Sequence, residues 1–222
     1  MDSKRAACLR PEFTAALAGF ILSGESVNLI SPHGQGRRRT LEDLHQFIPG
    51  STMIIQLNML LYCHDLKGFL KAIASYFNHP ETNVNSLGGL FDQLEKENQK
   101  VLLILHNFDQ LWNGSTLKDG YSGSFLEDLN RLREREITLL CVTEHADQHD
   151  QLQADGTQLD AIPLPIPDIT SAQLMMEILH RDLPVEQDEL GGLAAWLLQQ
   201  KSPYSILDQL EPAWFKQKNW KG

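Results

Sequence analysis

Five short β-prone runs alternate with helical stretches over the first three quarters of the chain. This alternation limits the fold more than any other feature of the sequence. The runs are SVNLI (Ser26–Ile30), TMIIQL (Thr52–Leu57), KVLLIL (Lys100–Leu105), ITLLCVT (Ile137–Thr143) and a weaker one at Asp160–Leu164. Helical patterns separate them at Thr40–Phe47, Leu66–Phe77, Leu87–Glu97 and Phe125–Glu134, and another at Pro11–Ser23 precedes them, with Gly24 as its stop. Strands separated by helices pair in parallel through right-handed crossovers. The expected fold is therefore a three-layer α/β sandwich around a mostly parallel sheet. KVLLIL is apolar throughout, which places it at the sheet centre, covered on both faces.

The pattern changes at Pro167, after which only helices are expected: Ser171–His180, Val185–Gln200 and Tyr204–Leu210, the first capped by Thr170 or Ser171. The expected organisation is an α/β domain over residues 1–167 and a helical lid over residues 168–222. The lid ends in PAWFKQKNWKG. Its Trp214, Phe215 and Trp220, with Lys216, Lys218 and Lys221, either fold back on the lid or dock on another protein.

Charge narrows the partners. Lys+Arg number 19 and Asp+Glu 29, a net charge of −10 over 222 residues. Sequence-independent nucleic-acid binding runs on cation–phosphate contacts, so direct nucleic-acid binding is not expected. The three cysteines, Cys8, Cys63 and Cys141, are widely spaced and odd in number, which suits a reducing compartment and no disulfide framework. Apolar stretches such as Val101–Leu105 fall far short of the roughly 20 residues of a membrane span. The opening MDSKRAACLRPEF has no apolar secretory core. A cytoplasmic protein without membrane contact is expected.

The loop after the first strand carries the chemistry. Ser31–Arg38 reads SPHGQGRR, against G-x-x-x-x-G-K-[ST] for a phosphate-binding loop. Ser31 takes the first Gly position and Gly36 the second; Arg37 takes the Lys position and Arg38 the Ser/Thr position. A strand runs in and a helix runs out, the layout in which backbone N–H groups face a phosphate. Gly34, Gln35, Gly36, Arg37 and Arg38 are the candidate phosphate-binding residues. The same glycines also suit a plain turn. Arg37, Arg38 and Arg39 equally suit a solvated face, a phosphate or an acidic partner. His145 and His149, with Glu144, Asp147 and Asp150 beside them, lack an identifiable third ligand, so no metal site is assigned. The stretch Asp147–Asp160 reads as a solvated loop.

Taken together, RPEF, SGESVNLISPHGQGRRRTLEDL, VLLILHNFDQL, ITLLCVTEH and QQKSPYSILDQL resemble a bacterial AAA+/STAND-type P-loop ATPase over roughly residues 10–210. The resemblance implies a five-stranded sheet in the order 5-1-4-3-2. It also implies two acids at the end of the VLLIL strand, one holding Mg²⁺ through water and one polarising the attacking water. Here those positions hold His106 and Asn107, and Asp109 is the only nearby acid left, with capping of the loop as its other reading. Thr143 matches the family's polar sensor. A lid arginine that would touch the γ-phosphate has no equivalent around Lys201–Tyr204. Arg38 cannot ligate a cation, His106 suits a hard oxygen-seeking ion poorly, and Asn107 has no carboxylate with which to polarise water.

The implied function is therefore a pseudo-ATPase, catalytically inactive, working as an adaptor or regulatory subunit through contacts with another protein. It would carry no cofactor, or ATP or ADP without Mg²⁺. Two other readings stand beside it: a non-hydrolysing nucleotide switch, and a slow ATPase in a DNA-transaction, defence or secretion assembly. The sequence assigns no oligomeric state.

Overall fold

The computed structural model describes residues 8–77, 85–94, 100–113, 116–145 and 152–210, with only the backbone of Gln93 and Leu94. The sheet expected from the alternation is present. Strands β1 (Val27–Ile30), β2 (Met53–Asn58), β3 (Val101–His106), β4 (Ile137–Thr143) and β5 (Ile162–Pro165) pair in parallel in the order β2-β3-β4-β1-β5. Read from the other edge this is 5-1-4-3-2, the order implied by the resemblance. The helices are α1 (Pro11–Leu22), α2 (Arg37–Leu44), α3 (Leu66–Tyr76), α4 (Leu87–Leu94), α5 (Gly123–Asn130), α6 (Ser171–His180), α7 (Leu190–Leu198) and α8 (Pro203–Gln209).

Burial follows sheet position. All of β1 and β4 and the first five residues of β3 are buried, while β2 and β5 alternate with solvent. Central parallel strands need apolar residues on both faces; edge strands do not. The edge also explains how β5 tolerates two prolines. The Ile162 N–H donates to Ser26 O, so the ring nitrogens of Pro163 and Pro165 point away from β1, where no ladder donor is required.

Local signals place most ends. Gly24 (φ +83) closes α1: its N–H bonds Ile21 O, and the Glu25 N–H reaches back to Phe20 O. Asp65 caps α3 through Gly68 N, and Thr170 with Gln173 forms a capping box on α6. Several expectations shift. The helix expected at Val185–Gln200 covers Leu190–Leu198, and the one expected at Phe125–Glu134 covers Gly123–Asn130. The helix expected at Thr40–Phe47 begins three residues earlier, at Arg37, because Gly36 supplies the left-handed turn before it. The part of Asp147–Asp160 that is described is not a plain loop. Gln153–Ala154 and Thr157–Gln158 pair as a hairpin across Asp155–Gly156, both with positive φ, and Leu152 and Leu159 beside it are buried. An Asp-Gly pair is a strong two-residue hairpin signal.

The chain forms two compact units. Among the described residues, the first takes in those up to Ala18, then Pro32–Phe47, then those from Ile166 to Leu210. Its core gathers Leu9, Leu174, Ile178, Leu193, Leu197 and Leu207. The second takes in Gly19–Ser31 and Ile48–Pro165, with a core that includes Phe69, Leu103, Leu105, Phe108, Leu126 and Leu139. Among the described residues, no helix is long and apolar enough to cross a membrane.

Candidate functional site

The loop residues Gly34, Gln35, Gly36, Arg37 and Arg38 all lie in the first unit. Gly34 (φ +80) and Gly36 (φ +73) are left-handed, a conformation that glycine adopts without a Cβ penalty. Space demands glycine as well. A Cβ on Gly34 would lie 2.6 Å from Ser202 Cα and 2.8 Å from Ser202 Oγ. A Cβ on Gly36 would lie 2.8 Å from Leu9 Cδ2 and 3.0 Å from the Tyr204 ring.

The loop carbonyls are taken up by the same unit. The Tyr204 N–H donates to Gly34 O (3.0 Å), and Arg10 Nη2 donates to Gln35 O (2.8 Å). Gln35 Oε1 accepts from the Ile169 N–H (3.2 Å). Arg10 is 2% exposed and also donates to Pro167 O and Thr40 Oγ1. Burial pulls its pKa down to about 10, and the charges of Tyr204 and Asp168 only partly offset that. Arg10 therefore stays charged at neutral pH.

The three arginines opening α2 do not form a common basic patch. Arg38, with a 90% exposed side chain, turns outward and pairs with Glu42 one turn on (2.9 Å). Arg39 turns inward to Asp43 (2.9 Å) and Glu177 (3.4 Å). Arg37 follows Gly36 directly as the first residue of α2 and is half-buried. The inward pair belongs to a wider network. Glu177 accepts from Arg181 Nε (2.9 Å) and from the Tyr204 hydroxyl (2.8 Å), and Arg181 also reaches Asp208 (2.7 Å) and stacks over the Tyr204 ring.

Burial alone would raise the Glu177 carboxyl. The hydrogen bonds from Arg181 and Tyr204 and the charges of Arg181 and Arg39 outweigh it and hold Glu177 below its ordinary value. Asp43 goes the other way: burial lifts it, although the Leu9 N–H and Arg39 pull it down. A cavity of about 490 Å³ borders this network, with Arg39, Glu177, Arg181 and Tyr204 in its wall.

The strand-end candidates lie in the second unit. His106 ends β3 opposite Asn58 of β2, and a ring nitrogen lies 3.2 Å from Gln56 Oε1. Asn107 follows in the left-handed region (φ 53) and donates from Nδ2 to Asn58 Oδ1 (2.8 Å). That same oxygen accepts the Leu60 N–H (3.1 Å). Asp109 sits one residue into the next turn, where its carboxylate accepts from the Gln110 side chain (3.1 Å). The Thr143 hydroxyl donates to Asn28 Oδ1 (3.0 Å), fully buried between adjacent strands, while Thr143 O accepts the Ser31 N–H (2.9 Å).

These residues do not fit Mg²⁺ with a nucleoside triphosphate. Gln56, Asn58, His106 and Asn107 bring no carboxylate to the strand ends, whereas Mg²⁺ is usually held by one or two carboxylates together with waters and phosphate oxygens. Arg38, which the loop motif aligns with the hydroxyl ligand, is turned to solvent. Among the described residues, no group of three or more His, Cys, Asp or Glu is placed to hold a metal; His149 lies outside them, as does the aromatic-basic tail.

Several of these residues escape a reading by motif. Arg10 sits in the RPEF run, but nothing in that run announces its contact with the loop. Glu177 carries a visible signal, a lone acid within the apolar stretch LMMEIL.

No family model matches the chain, and no curated protein matches it in sequence. Solved structures do match in shape. The ORC1 protein of Aeropyrum pernix, solved in complex with DNA, aligns with a TM-score of 0.61 at 17% identity over 91% of this chain and 61% of that one. Drosophila ORC bound to DNA aligns with a TM-score of 0.61 at 14% identity over 100% of this chain and 68% of that one. The complex of Drosophila ORC with GC-rich DNA and Cdc6 aligns with a TM-score of 0.51 at 13% identity. The chain thus spans about three fifths of the length of the Aeropyrum protein. At these identities the likeness concerns the fold alone, a three-layer P-loop NTPase-like α/β sandwich with a parallel five-stranded sheet.

Proposed function

We propose that the chain is a catalytically inactive AAA+-like module that acts as an adaptor or regulatory subunit by contacting another protein. One observation carries the reading. The two strand-end positions where this fold places acids hold His106 and Asn107, and both side chains are engaged with β2, through Gln56 and Asn58. An amide that donates to a neighbouring amide cannot accept a proton from water. Losing a single water-activating or charge-stabilising group typically costs about 10²–10³ in rate. Fold and activity separate readily, so retention of the scaffold does not imply retention of the reaction.

The ORC neighbours were solved with DNA, and that property is not carried over. The chain has a net charge of −10, and Arg38 and Arg39 are paired with carboxylates. The partner is another protein, recognised without a nucleotide cue, and neither cofactor nor Mg²⁺ takes part.

The test is phosphate release by purified protein with ATP and Mg²⁺, together with recovery of its partner from source cells with ATP, with ADP and without nucleotide. Background turnover is expected, with equal recovery in all three conditions. Mg²⁺-dependent release that vanishes in Arg37→Ala would overturn the inactive reading, and recovery only with ATP would overturn the nucleotide-independent one.

A further inference from the structure

We infer that the glycine loop is a docking cradle for the chain's own helix α8, a latch within the first unit that holds without nucleotide. The observations converge on four loop residues. Ser202 presses on Gly34 so closely that a methyl group has no room there, and a Cβ on Gly36 would lie only 3.0 Å from the Tyr204 ring. Leu9 closes over Gly36 from another direction. His33 meets the Ser205 hydroxyl at 3.4 Å. Arg10 and the Ile169 N–H hold Gln35 through its backbone and side-chain oxygens.

The central contact is a backbone bond with a definite purpose. The first N–H groups of a helix have no partner inside it. In α8 the first residue is Pro203, which has no N–H, and the first intrahelical bond runs from the Ile206 N–H to Ser202 O. The Tyr204 N–H is thus a helix-end donor in need of an acceptor, and Gly34 O supplies it at 3.0 Å. The left-handed Gly34 and Gly36 give the loop its sharp turns and let Ser202 and Tyr204 approach. Behind the latch the Tyr204 hydroxyl is bonded to Glu177, so the residue is held at both ends. Glycines that let a backbone approach a phosphate here let the loop approach a helix start.

This deepens the inactive reading but fails separately from it, because the latch is measured without nucleotide or turnover. The Tyr204 amide is a built-in reporter. Released from Gly34 it would face water and exchange rapidly. Hydrogen exchange followed residue by residue by NMR on the ¹⁵N-labelled protein, with no nucleotide present, should show it protected by more than about 100-fold relative to an unstructured amide. Saturating ADP should change that by less than about twofold, because the bond exists already. Near-intrinsic exchange without nucleotide, or protection that arises only with ADP, overturns the latch.

Gly34→Ala supplies the second arm. It should speed exchange at Tyr204 by more than about tenfold, with α6 amides such as Ile178 changed much less. Unchanged exchange at Tyr204 in that variant overturns the latch. Should Gly34→Ala unfold the whole unit, the unmodified protein still decides.

Discussion

The glycine loop and the strand ends are held in place in opposite physical ways. The loop in the first unit is surrounded by charge: buried Arg10, inward Arg39, Glu177 and Arg181. At the strand ends in the second unit, amide and imidazole groups bond one another. The energetic stakes differ accordingly. Removing one partner from a buried ionic network strands the other charge in a low dielectric. Removing one amide from a half-buried hydrogen-bonded cluster costs about one hydrogen bond. The two regions therefore contribute differently: the first carries a buried ionic network and the second a set of neutral side-chain hydrogen bonds.

The largest effect should come from Glu177. Glu177→Ala leaves Arg39 and Arg181 without their shared buried carboxylate and should destabilise the protein by about 3–5 kcal/mol, read by chemical denaturation. The pH dependence has a definite sign. The folded carboxyl is held below its ordinary value of 4.5, so its contribution is fully present above that value and is lost as pH falls through the lower, folded one. The gap in thermal midpoint between the wild type and Glu177→Gln should be constant from about pH 8 to 6 and narrow below about 4.5. A gap that instead widens on acidification would show that the carboxyl is not held by its cations.

Arg10 comes next. Arg10→Met keeps much of the volume but leaves Gln35 O, Pro167 O and the Thr40 hydroxyl without a donor, at about 1–3 kcal/mol. Stability within a few tenths of a kcal/mol of the wild type would mean that water reaches these acceptors.

The strand ends should respond less. Asn107→Ala loses the bond to Asn58 and places alanine at φ 53, together about 1–2 kcal/mol. Asn107→Gly loses the same bond without the left-handed strain and should be the milder change. The reverse order would contradict a role for Asn107 as left-handed turn residue and hydrogen-bond donor.

The smallest effect belongs to Arg38. Its exposed pair with Glu42 is solvent-screened, so Arg38→Ala should stay within about 0.5 kcal/mol. A larger loss would mean that the side chain has a partner beyond Glu42.

The sheet was legible almost entirely. Apolar runs such as VLLIL and ITLLCVT can satisfy both their backbone and their side chains only as central parallel strands, so residue type and period were enough. Edges were read less well. Asp160–Leu164 is weak because β5 is half exposed, and its prolines become intelligible only once the ladder direction is known. Caps such as Gly24 and Thr170 were readable because their chemistry acts over three or four residues. The Asp155–Gly156 hairpin was equally local and was missed for want of flanking apolar alternation.

The candidate site divides along the same line. The sequence alone determined that Arg38 offers no cation ligand, that His106 offers nitrogen rather than oxygen and that Asn107 offers no carboxylate, since the chemistry of a side chain travels with its identity. It also placed a strand before the glycine loop and a helix after it. Only the tertiary structure decided what the loop meets: Ser202 and Tyr204 lie about 170 residues beyond Gly34, and Arg10 lies 25 residues before Gln35. It likewise decided that Arg38 faces water while Arg39 faces two carboxylates. Adjacent residues on a helix are turned by about 100°, and which direction is interior depends on what packs against it.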